Sequence, residues 1–230
     1  HTIQFKALQN ALKHWAENEQ DDLFKGCAII ARYQYPDLDE NKLKKQLNQI
    51  KQDVWLELHD DLTAIEKVKI INHIMFEVHQ FGGNITNYHA PQNSFINVVL
   101  ETKKGNPVML SVVYALICKE LAIPIYGVNL PQHFVLAYVN DYANLIDPSD
   151  KTLSDNILFY VNPFSKGLIF NRGDVDAFIK QLNVEPETKH YLPCSNLDII
   201  KRILNNLIYS FDKMGYAEKV QELKQLEKNL

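Results

Sequence analysis

Cysteine is scarce and scattered. Cys27, Cys118 and Cys194 stand far apart in a chain of 230 residues. No CxxC or paired spacing occurs, so neither a zinc knuckle nor a disulfide framework is indicated, and the odd count suits a reducing compartment. Glycine and proline are also few, at 8 and 9 residues, which argues against long structureless linkers. Charge of one sign is missing too: the net charge is −4, and nothing in it favours nucleic acid or an anionic membrane as a partner. No apolar run approaches the roughly 20 residues of a membrane span. The opening HTIQFKALQN, which begins with His rather than Met, carries no secretion-signal pattern. These absences together predict a cytoplasmic protein without a membrane or nucleic-acid partner. Glycine-rich phosphate loops, GxSxG and HExxH are all absent. His73 and Glu77 are four apart and share a helix face, but His79 lies on another side. The sequence therefore predicts no metal site and no cofactor.

What is present is a soluble-type composition, 46% hydrophobic and 23% charged, in a chain long enough for one large domain or a core with helical flanks. Residues 1–84 read as helical. Phe5, Leu8, Leu12 and Trp15 recur at spacings of three and four, as one buried helix stripe does. A second apolar segment runs from Leu23 to Tyr35. A third helix starts at Asp39, with Leu43, Leu47, Ile50, Val54 and Leu58 on one face and the lysines of 40–51 on a solvated one. A fourth spans Leu62 to Phe81, and Gly82-Gly83-Asn84 is expected to stop it as a C′ glycine does. A polar loop, Ile85 to Gln92, precedes a short helix capped by Asn93 or Ser94 and running through Leu100. Asn106-Pro107 restarts the chain as a helix to about Leu121, because proline at the first helical position wastes no amide and has its φ preset. Strand-like runs follow at Ile125–Asn129, Phe134–Val139 and Asn144–Ile146, with Leu158–Val161 and Leu168–Phe170 as further short strands. Beyond Gly173 the pattern is helical again and ends in a helix pair around Gly215. One such pair is compatible with a tetratricopeptide-type unit, although an array needs about three.

His133 and Asp147 are 14 residues apart, with the polar Asn140-Asp141 midway. If 139–141 form the loop of a hairpin, Tyr138 pairs with Tyr142. The same register sets His133 opposite Asp147, with Cβ atoms about 4.5–5.5 Å apart. A one-residue slip would send the two to different faces. Such an Asp fixes the imidazole tautomer and lets the free ring nitrogen act as a base; the same pair can equally serve only to hold two strands together. A nucleophile for that base must come from the helix beginning near Pro107, whose dipole would activate a thiol at its start. Asn106, Pro107 and Val108 stand there instead. Ser111, one turn inside, is the hydroxyl of the first two turns: a candidate nucleophile, or a side chain bonded back to the carbonyl four residues earlier. Cys118 is two turns further on, roughly 10 Å from Ser111, and reads as a buried small hydrophobe.

The segments GNPVMLSVVY, GVNLPQHFVLAY and LIDPS, with the preceding NYHAPQNSFINVVLETKKG and the trailing RILNNLIYSFDKMGY, resemble the transglutaminase-like superfamily, and most nearly its bacterial invasion-regulator-like branch. The likeness covers about Ile65 to Met214. It implies a core similar to papain with a Cys–His–Asp triad, in which His133 and Asp147 match the His and the Asp. It places the nucleophile at or beside Pro107, so the thiol is absent and the core is degenerate. It also puts the loop before Asn93 near the cleft, which makes Tyr88, Asn93 and Asn97 cleft-lining candidates beside Pro107. The alternative role for the asparagines is to cap helices and satisfy loop backbone. Gln132 precedes His133 and can aim an amide at an oxyanion.

The expected fold is α+β, a papain/transglutaminase-like core with a central helix on a small antiparallel sheet, flanked by helical N- and C-terminal regions. The expected divisions are a helical region over 1–84, the core over 85–172, and a helical region with one tetratricopeptide-like pair over 173–230. The leading expectation for function is a non-catalytic protein that binds a peptide or protein segment in the degenerate cleft. The alternatives are a hydrolase or acyltransferase using Ser111, His133 and Asp147, and a helical interaction scaffold. The oligomeric state stays open.

Overall fold

The computed structural model describes residues 2–140 and 156–230. Four helices come first: α1 (Thr2–Asn18), α2 (Leu23–Gln34), α3 (Glu40–Trp55) and α4 (Ala64–Asn72). Three of them start on side chains that satisfy the orphan amides of a first turn. Asp22 accepts from Lys25, Asp39 from Asn41 and Lys42, and Thr63 from Glu66. α4 does not continue as one α-helix to Phe81; it widens into a π-helix over His73–Val78.

The glycines after it behave differently from the expected helix stop. The left-handed residue is Gln80, with φ 59°. Gly82–Gly83 instead forms β1, paired in parallel with β2 (Lys104–Gly105). Gly83 is needed for closeness, because a Cβ there would overlap the ring of Phe164. Between these two short strands lie a 3-10 turn, Pro91–Ser94, and α5 (Ile96–Thr102). Neither Asn93 nor Ser94 caps α5; Phe95 holds that position without a side-chain bond.

α6 (Pro107–Glu120) is the central helix. It is buried nearly all round, as its uninterrupted apolar sequence requires. A four-stranded antiparallel sheet follows, in the order β3 (Ile125–Leu130), β4 (His133–Val139), β5 (Ile157–Asn162), β6 (Leu168–Phe170). Alternation along β4 divides its side chains. Phe134, Leu136 and Tyr138 join the large core that contains α6. Val135, Ala137 and Val139 join a second cluster with Val175 and Ile179 of α7 (Arg172–Gln181). Both faces are covered, which is why HFVLAYV reads as a continuous apolar run.

The strand pairing differs from the expected hairpin. Tyr138 pairs with Ile125 on one side and Phe159 on the other, so both its edges are taken by described strands. The helix pair α8 (Asn196–Lys213) and α9 (Ala217–Glu227) turns at Gly215, whose φ is 79°. Its inner face, Ile199 to Leu226, belongs to the same core as Leu12 and Trp15 of α1. Asn72 ties three parts together: it accepts from Tyr114 Oη of α6 (2.9 Å) and donates to Gly167 O at the turn before β6 (2.8 Å).

Candidate functional site

A cavity of about 620 Å³ opens at the N-terminal end of α6. Three elements meet there. The start of α6 supplies Asn106, Pro107 and Val108, the loop before the 3-10 turn supplies Tyr88 and His89, and α8 supplies Arg202, Asn206 and Tyr209. Gln132 and Phe134, at the β3–β4 connection, close the floor. The local sequence explains the shape. Asn106 accepts from Met109 N (3.0 Å) and donates to Ser94 Oγ (2.9 Å), which pins the helix start to the neighbouring loop. Gln132 has φ 59°, so the chain reverses tightly between Leu130 and His133. Aromatic rings line one side: Tyr209 meets His89 (5.0 Å between centroids) and His89 meets Tyr88 (4.9 Å), which is backed by Phe164 (5.6 Å).

The candidates named from the sequence fall in different places. Tyr88, Pro107 and Gln132 line this cavity. Asn93 is buried and turned inward: its amide donates to the carbonyls of Asn87 and Tyr88 and its oxygen accepts from Asn84. It braces the loop that carries Tyr88. Asn97 does not line the cavity, and its Oδ1 is buried without a hydrogen bond among the described residues. Ser111 is fully buried, lies off the cavity, and its Oγ has no hydrogen-bond partner among the described residues. The expected back-bond to the preceding turn is therefore not formed. Asp147, with Tyr142 and the strand expected at 144–146, lies outside the described residues.

His133 opens β4 and is partly buried. Its ring rests against Phe164 (6.3 Å) and Phe178 (6.0 Å). Strand alternation explains the placement: Phe134 takes the cavity side, and His133 leans the other way, towards α7. Burial is the main influence on its pKa and pulls it below the ordinary value of 6.5. The neighbouring Asn162 amide opposes this, and the Arg202 charge adds to it. Asn162 Oδ1 nonetheless lacks a well-aligned hydrogen bond, so its support for the charged imidazole is slight. No hydrogen bond joins His133 to Ser111 among the described residues.

Thiols offer no substitute. Cys27 and Cys118 are buried, and burial pushes Cys27 up to about 12 and Cys118 higher still. Cys194, part-buried, is likewise pushed up to about 12. Among the described residues no group of three His, Cys, Asp or Glu is placed to hold a metal ion. No described helix is long and apolar enough to cross a membrane.

Sequence reading passed over Arg202, Asn206 and Tyr209. Their signal was available: they recur at spacings of four and three along α8. That stripe runs beside the apolar one of Ile199, Ile203 and Leu207, and a polar stripe of this kind is ordinarily solvated.

A central helix whose start is capped against a neighbouring loop, packed on a small antiparallel sheet and accompanied by helical regions before and after it in the chain, makes this an α+β protein. The model of the transglutaminase-like superfamily matches residues 41–205, and the chain belongs to that superfamily. It is 31% identical over 133 residues to a UPF0162 protein of Xylella fastidiosa, a match covering 57% of this chain and 47% of that protein. It is 28% identical over 113 residues to a UPF0162 protein of Pasteurella multocida, covering 49% of this chain and 43% of that one. It is 23% identical over 154 residues to F-box only protein 21 of Homo sapiens, covering 67% of this chain and 23% of that one. The chain thus spans about half or less of the length of these relatives. No solved structure matches it.

Proposed function

We propose that the chain binds a peptide or protein segment in the cleft between the start of α6 and α8, and does so without covalent chemistry. The observation that carries this reading is Pro107 in the first turn of α6, on the cavity wall, where the resemblance puts a cysteine. A proline offers no attacking atom. The cavity volume lies in the range of ordinary ligand sites. Its aromatic side and its amide groups suit a peptide, which needs flat apolar contacts and a few polar anchors. By this reading the C-terminal helical region serves the cleft rather than acts alone, since α8 supplies one of its walls.

A hydrolase built on Ser111, His133 and Asp147 draws less support. It requires a hydroxyl that meets the imidazole, whereas Ser111 Oγ is fully buried and, among the described residues, unpaired. A scaffold working through the C-terminal pair draws less as well, because the inner face of that pair is already used in the core.

The test is selection of a displayed random-peptide library on the full chain, followed by titration of enriched peptides against Tyr88→Ala and Tyr209→Ala. Both residues are substantially exposed, so the variants should fold. Loss of an aromatic anchor is expected to weaken binding by about tenfold or more. Peptides that bind both variants as tightly as the parent would overturn the proposal.

A further inference from the structure

Among the described residues Arg202 is the one fixed cation lining the cavity, and no acid lines it. Its guanidinium is largely removed from water, which works against its charge. Arginine does not escape that cost by losing its proton. Among the described residues no carboxylate pairs with it. Its described hydrogen bonds both leave from Nη1, to Asn129 Oδ1 and to Leu130 O (2.9 Å), and they fasten α8 to the end of β3. The Nε–H and the two Nη2–H donors have no described acceptor. That edge of the guanidinium is a planar fork whose spacing fits the two oxygens of one carboxylate. Across the same cavity stands the N-terminal end of α6, a helix of 14 residues with the positive end of its dipole towards the space. Gln132 and Asn206 add neutral amides that can hydrogen-bond the rest of a ligand.

We infer that the cleft takes a carboxylate of the bound segment, held on the Nε–Nη2 edge of Arg202, with the start of α6 facing it. The inference rests on the peptide-binding reading and names the group that anchors the peptide. A single fork with no second fixed cation suits a planar carboxylate better than a doubly charged phosphate. The carboxylate comes from a chain end or from an Asp or Glu side chain, and the chemistry at Arg202 is the same for both.

The experiment is NMR on the ¹⁵N-labelled full chain, following the Arg202 Nε–H resonance and the backbone amides around the cavity. Three probes are added in turn: a pool of N-acetylated tripeptides lacking Asp and Glu as free acids, the same pool as C-terminal amides, and amides with a central Glu. The free acids, the Glu amides or both should move the Arg202 resonance, and which of them does identifies the source. The Glu-free amides should bind at least about tenfold more weakly. Arg202→Gln should abolish the preference for acids, and Arg202→Lys should keep part of it. An arginine with only a fastening role would lower the unfolding temperature of both variants and leave the acid-to-amide ratio unchanged. If Arg202→Gln does not fold, the comparison in the parent chain and in Arg202→Lys decides. Amides that bind the cleft as well as acids would overturn the carboxylate anchor and leave peptide binding standing. Cavity resonances unmoved by every pool would overturn both.

Discussion

Replacing Ser111 by alanine removes a hydroxyl that is fully buried and, among the described residues, unpaired. A polar group stripped of water without a new partner costs stability, and alanine is the better helix former. Ser111→Ala is therefore expected to leave stability unchanged or raise it by up to about 1 kcal/mol, measured by urea unfolding; a clear loss would reveal a bond that the account lacks. His133 makes a statement about pH. Its neutral form is favoured in the fold, so the unfolded chain binds its proton more readily. Stability should rise with pH through the window just below 6.5. Acidification from 6.5 downwards should destabilise the parent chain more than His133→Gln, and an NMR titration should place the midpoint below 6.5. A midpoint above it would mean a carboxylate holds the imidazole. At this scale the sequence was a fair guide to residue type and a poor one to direction. Ser111 was named for its hydroxyl, but it stands one turn deeper than Pro107 in a helix buried nearly all round, and that depth seals the hydroxyl in. Arg202 was overlooked because a single charge beside an apolar stripe resembles any solvated helix edge.

Among the elements, α6 was legible in full. Asn106-Pro107 at its start and the apolar run behind them give a cap, a first turn and a buried helix without help from the rest of the chain. Asn106→Ala should cost about 1–2 kcal/mol, since it loses the bond from Met109 N and that to Ser94 Oγ together. Thermal unfolding measures it, and an unchanged midpoint would mean the helix start does not depend on its cap. β4 was equally legible as a strand, but its partner was not. A short polar interruption after Val139 looks like a hairpin turn, whereas β4 pairs with Ile157–Asn162, a choice made by packing over a longer separation. The Gly82-Gly83 pair misled for a similar reason: its small size serves the approach of Phe164, and Gln80 takes the left-handed turn.

Across the whole molecule, one large core takes side chains from α1 at one end of the chain and α9 at the other. The expected boundaries near 84 and 172 follow changes in secondary structure, and this core crosses both. A chain cut after Pro193 would lose Ile199, Ile200, Ile203, Leu204 and Leu207, all nearly fully buried, and would lay bare the rest of the core they belong to, Leu12 and Trp15 included. It is expected to lose its near-ultraviolet circular dichroism and bind a hydrophobic dye; sharp cooperative unfolding of that fragment would show that the C-terminal pair is an independent unit. The same wholeness makes the cleft, since its walls come from segments more than a hundred residues apart. The most direct measurement is the intact mass of the folded protein after exposure to a fluorophosphonate probe, with peptide mapping of any adduct. An unmodified Ser111 is the predicted result. A covalent adduct on Ser111 that disappears in His133→Ala would contradict the account.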